Sequence, residues 1–297
     1  MDKRLLGIGL VALGSAFFAS SGLFVQFTRQ DASSWVAVFV ALLTGGLVVV
    51  PFALLRLGVR DAVRTEHPGL LTARGLVSFL QMSTLFYAFH TIPLTDAVLF
   101  RQTAPLWVPI LSALFLRERM PRQFWVVLLI GFIGVGLALH PRLSAFSIGY
   151  LVAILNGFLF AVQTLLSRRL NQLNEPRERI LLYIYVIVVA TTFGPAVATF
   201  QPIGAQTVMW LVIAGLLLLG STGCVISGFK FAPAWLLSPV GYVAIVFGAF
   251  LDWLVLNQIP SLFSVIGIVM VIGSGVLIVA IGGGRHGSHT GSVSGHN

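Results

Sequence analysis

Arg101 and Gln102 stand side by side in TDAVLFRQTAPLWVPILSALFLR, residues 95–117, a stretch otherwise long and apolar enough to cross a bilayer. A guanidinium keeps its charge in any protein environment, and its planar fork of donors fits a carboxylate with two parallel hydrogen bonds. Charge at such depth is costly and is found facing a bundle interior or a wet cavity. The chemistry on offer is recognition of an anion, a substrate carboxylate above all. A second reading pairs Arg101 with Asp96 or with carbonyls freed by Pro105 and Pro109. Asp96 lies five residues earlier on another helical face, which weakens that pairing.

Other polar side chains recur at helical spacing. Ser15, Ala19, Gly22 and Gln26 share one face of a first apolar segment; Asn156, Phe160, Gln163 and Ser167 do the same in a later one. Gln81 falls with Ser78 on a third. Each stripe reads either as cavity lining or as the small and hydroxyl-bearing contacts that let helices approach. Cavity lining is the expectation for Gln81, Asn156 and Gln163, and Phe160 would add aromatic surface.

The elements that carry these residues follow from composition. Of 297 residues, 57% are hydrophobic and 9% charged, against about a quarter charged in soluble domains. Apolar stretches fall at 7–28, 34–55, 72–90, 94–116, 124–140, 148–167, 180–199, 207–229, 234–256 and 262–282, so an all-α membrane protein of ten transmembrane helices is expected. All but Arg29, Arg101 and Arg142 of the 18 cations fall on one side when the N-terminus is placed in the cytoplasm. Both termini are then cytoplasmic in an inner-membrane, multi-pass chain. The basic excess reports topology and implies no nucleic-acid partner.

The halves resemble each other. AFHTIPLTDAVLFRQTAPLWVPILSALFLRERMP lies against GFKFAPAWLLSPVGYVAIVFGAFLDWLVLNQIP, while Phe18 and Ala19 align with Phe160 and Ala161 and Pro51 with Pro195. Residues 1–143 and 144–282 are expected to be two five-helix repeats, with 283–297 a disordered tail. Because five is odd, the second repeat enters the membrane inverted. Inverted repeats are typical of secondary transporters, whose site lies near the midplane at the repeat interface. Gln102 aligns with Tyr242, so Tyr242 is a further candidate for the site wall. Pro239 does not mirror Pro105, which predicts bends at different depths in the two helices.

RGLVSFLQMSTLFYAFHTIPLTDAVLFRQTAPLWVPILSALFLRERM (74–120), GFLFAVQTLLSRRL (157–170) and the Pro239 to Tyr242 pattern of the second repeat resemble EamA-type permeases of the drug/metabolite transporter superfamily. The resemblance implies a ten-helix basket that moves small metabolites by alternating access, with exporters of amino acids, aromatic and other neutral ones, the nearest branch. Two departures bear on substrate: Gln258 stands where the family has a glutamate that Glu118 retains, and Arg101 and Asp252 replace small residues. A carrier of another anionic or purine-like metabolite, or of a nucleotide-sugar-like one, stays open, as does a lipid scramblase or intramembrane enzyme.

Asp96 suits a helix N-cap after TIPLTD, and Asp252 falls near the outer end of its span, so no midplane carboxylate suggests proton coupling. Cys224 reads as a small core residue. The chain shows no phosphate-binding glycine loop, nucleophile elbow or metal-ligand cluster, so neither cofactor nor metal nor catalysis is expected. Gly131, Gly134 and Gly136 suit close helix packing, conceivably between copies in a homodimer, a monomer being the other expectation.

Overall fold

The computed structural model describes residues 3–92, 94–111, 114, 122–138, 148–232, 237–256 and 262–284. Their regular elements are helices α1 (Lys3–Gln26), α2 (Ser34–Leu57), α3 (Val59–Val63), α4 (Pro68–Thr91), α5 (Leu94–Arg101), α6 (Ala104–Leu111), α7 (Arg122–Ala138), α8 (Ile148–Gln172), α9 (Arg177–Ala198) and α10 (Ala205–Gly228), a 3-10 segment (Ser238–Tyr242), α11 (Val243–Leu256) and α12 (Leu262–Gly284). Five of these, α1, α2, α8, α9 and α10, are long and apolar enough to cross a membrane. Glu118, Gln258 and the tail beyond Gly284 lie outside the described residues, as does the Asp252 side chain, while the last two glycines before it continue α12.

The packing is symmetric under exchange of the halves. α1 lies against α10 as α8 lies against α4, α11 against α1 as α6 against α8, and α2 with α9 and α7 with α12 pair across the exchange. Equivalent loops sit at opposite ends of the bundle. After α1, Asp31 accepts a hydrogen bond from Thr207 at the start of α10 (3.2 Å). After α8, Glu175 accepts one from Thr65 ahead of α4 (2.5 Å). Each acid therefore ties its own half to the other, one at either end. The Glu175 end is the basic one: Arg179 donates to Glu175 (2.6 Å) and to the Asp61 carbonyl, Arg177 to Ser227 and Arg168 to the Phe229 carbonyl.

The stretch around Arg101 is not one helix. α5 ends at Arg101, Gln102 and Thr103 form a turn, and α6 begins at Ala104. Thr103 N–H bonds the Phe100 carbonyl three residues back (3.0 Å), and its hydroxyl caps the same oxygen (2.8 Å). Pro105 lacks the N–H that would have met the Arg101 carbonyl, so the α-helical ladder cannot continue through it. In the second half the 3-10 segment ends at Tyr242, the position aligned with Gln102. The two irregular stretches meet at that one aligned position: the turn runs on from it through Thr103, and the 3-10 segment leads up to it from Ser238.

Gly157 of α8 makes this broken backbone accessible to its neighbour. A Cβ there would overlap the Thr103 hydroxyl and the Phe100 carbonyl, so glycine alone permits α8 to lie directly on the break. Gly215 plays the same part for α10, where a Cβ would run into the Ala41 carbonyl of α2.

Candidate functional site

Arg101 sits at the C-terminal end of α5, 7% exposed, with its guanidinium between two aromatic rings. Its Cζ lies 3.6 Å from the ring centre of Phe18 and 3.7 Å from that of Phe160. Two rings at such distances cannot share one side of the plane, so the fork is stacked on both faces. Each contact draws the cation to the negative face of a ring and is worth about 2 kcal/mol where water is excluded. With both faces covered, ligands can reach the group only at its edge, where the N–H bonds point. Its Nε is buried with no hydrogen-bond partner, and Arg101 makes no ion pair with any described residue.

Asp96 does not pair with it. This carboxylate falls in the first turn of α5 rather than at its cap and accepts a hydrogen bond from the Tyr150 hydroxyl of α8 (3.0 Å). There it faces the positive end of the helix dipole.

Two narrow adjoining cavities, of about 20 and 30 Å³, meet at Arg101. The first extends toward the basic end past Gln163, Ser167 and Arg74, and the second passes Ser15, Gln102 and Gly241. Phe18, Phe160, Thr164 and Ser221 line both. Gln163 is 8% exposed and its amide oxygen has no partner, which leaves a polar group pointing at the chamber. Ser15 donates its hydroxyl to the Val11 carbonyl (2.8 Å), so toward a ligand it can only accept. Gln102 lies against Gly241, whose added Cβ would be 3.1 Å from the Gln102 amide nitrogen.

Of the side chains the sequence singled out, Arg101, Gln102, Gln163, Phe160 and Ser15 are brought together here. Phe160 stacks on the arginine, so one of its faces is already taken. Gln81, Asn156 and Tyr242 are placed elsewhere. Asn156 donates to the Gln81 carbonyl (2.5 Å) and to Thr84 (3.0 Å), and Gln81 donates to Asn156 (3.4 Å), a buried tie between α8 and α4. Tyr242 is 2% exposed, with its hydroxyl near Gly131 of α7 and Ser274 of α12. A 3-10 segment advances about 120° per residue where an α-helix advances about 100°, so faces counted with helical spacing drift at that point.

Sequence reasoning missed Arg74, which counting by loops had assigned to the bundle's basic rim. α4 starts at Pro68, which places Arg74 almost two turns inside, 2% exposed. Its Nε donates to Ser167 (2.8 Å) and its Nη1 to Ser78, while Ser78 returns its own proton to the Arg74 carbonyl (2.7 Å). The legible signal was Ser78 itself, one turn on. Among the described residues no aspartate or glutamate lines either cavity, and no group of acidic, His and Cys side chains could hold a metal ion.

The model of the EamA-like transporter family matches this chain twice, over residues 5–139 and 147–280. The S-adenosylmethionine uptake transporter of Rickettsia bellii is 25% identical over 92% of this chain and 93% of its own length. The pseudopaline exporter CntI of Pseudomonas aeruginosa is 27% identical over 92% and 95%, and the riboflavin transporter of Vibrio cholerae 26% over 72% of each chain. A crystal structure at 21% identity superimposes with a TM-score of 0.70, covering 92% of this chain and 97% of that one, and so shares the fold.

Proposed function

The chain belongs to the EamA-like transporter family, a multi-pass membrane transporter of a small molecule rather than an enzyme, and on that premise we propose that it carries a carboxylate-bearing metabolite of the amino-acid class. The observation that carries this reading is the Arg101 guanidinium, stacked on both faces, without an ion pair to any described residue and open only at its edge to the chamber. A charge buried in that way is stabilised by an anion that arrives and leaves, and a carboxylate fits the fork bidentately. Gln163 and Gln102 would orient the remainder of the molecule, with Ser15 accepting one hydrogen bond. Gln81, Asn156 and Tyr242 would act behind the wall.

In this proposal ten spans form the bundle, α5 with α6 and the 3-10 segment with α11 each counting as one interrupted span, and both termini face the cytoplasm of a bacterial inner membrane. The chamber reaches toward the basic end, the cytoplasmic side by the distribution of arginines. That is where an exporter loads, and export by alternating access of the two halves is the direction proposed. The relatives' names include both uptake and export, so direction rests on the chamber.

Purified protein in liposomes, loaded with labelled amino acids and challenged in counterflow with each amino acid or its carboxamide, tests the reading. Exchange that requires the carboxylate supports it. Equal exchange of acid and amide, or scrambling of labelled lipid without solute exchange, overturns it.

A further inference from the structure

The cavity that Arg101 closes at one end has a second buried guanidinium, and the reading above leaves it without a task. Arg74 is 2% exposed and lines the same space. Its hydrogen-bond partners among the described residues are two neutral hydroxyls, Ser167 and Ser78, which use two of its five donors and neutralise none of its charge. No further bond to a described residue is made. Two cations facing one chamber repel, and removing each from water costs several kcal/mol unless an opposite charge is supplied. Among the described lining residues none supplies it.

The spacing is set by α8. Arg101 stacks on Phe160 and Arg74 bonds Ser167, and these two α8 residues lie on one face, about 10 Å apart along the axis at about 1.5 Å per residue. A group bound at the edge of each fork would leave several ångströms between the two anionic centres. Gln163, between them on the same face, offers its unpartnered oxygen to a donor on the connecting part.

Resting on the reading of Arg101 as a carboxylate anchor, we infer that Arg74 is a second anion-binding group of the same chamber and that the transported molecule carries two anionic groups, one facing each arginine. This moves the substrate class away from neutral amino acids, whose single carboxylate leaves Arg74 unanswered. The hydroxyls of Ser167 and Ser78 then serve to hold the second fork in place while it waits.

The test is equilibrium binding to the purified full chain, by calorimetry, of pairs that differ only by an acid and an amide or hydrogen: glutamate against glutamine, aspartate against asparagine, and 4-carboxyphenylalanine against phenylalanine. Wild type should prefer the dianionic-carboxylate member of at least one pair by about tenfold or more, equivalent to about 1.4 kcal/mol. Arg74→Gln should abolish that preference while still binding the partner with one carboxylate. Arg74→Lys, which keeps the charge and loses the fork, should retain most of the preference; a purely structural arginine would make the Lys and Gln variants alike. Equal affinity within every pair, with or without chloride, overturns the inference and leaves the Arg101 anchor standing if monocarboxylates still bind better than their amides. Failure of every carboxylate to bind overturns both.

Discussion

Phe18 and Phe160 occupy equivalent positions of the two halves and enclose the Arg101 guanidinium, with ring centres 3.6 and 3.7 Å from its central carbon. The symmetry of the scaffold is thereby used to hold an asymmetric charge, since the residue equivalent to Arg101 in the second half is Gly241. Absence of a side chain there opens the second cavity toward Gln102. One fork, approached from one edge, makes the site directional even though its walls are nearly symmetric.

Removing either ring should weaken the site by a similar amount. Phe18→Leu and Phe160→Leu each delete one cation–π contact while keeping most of the apolar volume, a loss of about 1–2 kcal/mol, or roughly 5–30-fold in carboxylate affinity. Titration calorimetry of the two variants checks this. A silent Phe18→Leu beside a damaging Phe160→Leu would mean that the rings do not act as a pair.

Gln163 and Asn156 share a helix but should fail differently. Gln163→Leu removes a buried oxygen that has no partner, so the thermal midpoint should hold or rise while affinity falls by about 1 kcal/mol, the worth of one hydrogen bond. Asn156→Leu removes the tie between α8 and α4 and leaves the buried Gln81 amide without the acceptor it donates to, costing about 1–3 kcal/mol of stability with affinity little changed. Measuring unfolding and binding on both variants separates cavity wall from interhelical tie.

Gly157→Ala should destabilise by about 1–3 kcal/mol, because its methyl must displace α8 from the break after Arg101. Gly223→Ala, at a position with open space around it, should leave stability within about 1 kcal/mol of wild type. Equal midpoints would show that α8 does not rest on the interrupted helix.

The two loop clamps should prove unequal. Glu175 is buried and accepts from both Thr65 and Arg179, so Glu175→Gln should cost about 1–3 kcal/mol, the range for a charged hydrogen bond. Asp31 is exposed and accepts from Thr207 alone, and Asp31→Asn should cost less than about 1 kcal/mol. Thermal unfolding of the pair, at low and moderate salt, reads the difference.

Much of this arrangement is visible in the residues. Continuous apolar runs mark the helices because a bilayer leaves backbone groups no partner but their own chain, and the aligned Phe18 and Phe160 already signal the shared frame of the two halves. Arg101 stands out because the only other charges in its stretch, Asp96 and Arg117, lie at its two ends. Arg74 does not, since cations near a helix start are ordinarily rim residues, and only the start of α4 at Pro68 and the facing Ser167 draw it inward. Alignment of the halves puts Tyr242 opposite Gln102, but the direction its side chain takes depends on a 3-10 turn that the alignment does not report. Among the described residues five helices are long and apolar enough to span, and the break between α5 and α6 lies inside an apolar run that gives no sign of it.

The anchor role of Arg101 is the central claim, and binding of one carboxylate and its carboxamide to wild type and to Arg101→Gln tests it most directly. Wild type should favour the carboxylate by about 100-fold or more, as expected for a charge-assisted pair worth about 3 kcal/mol, and the variant should bind acid and amide alike while unfolding at the same or a higher temperature. A variant that keeps the wild-type preference would contradict the account.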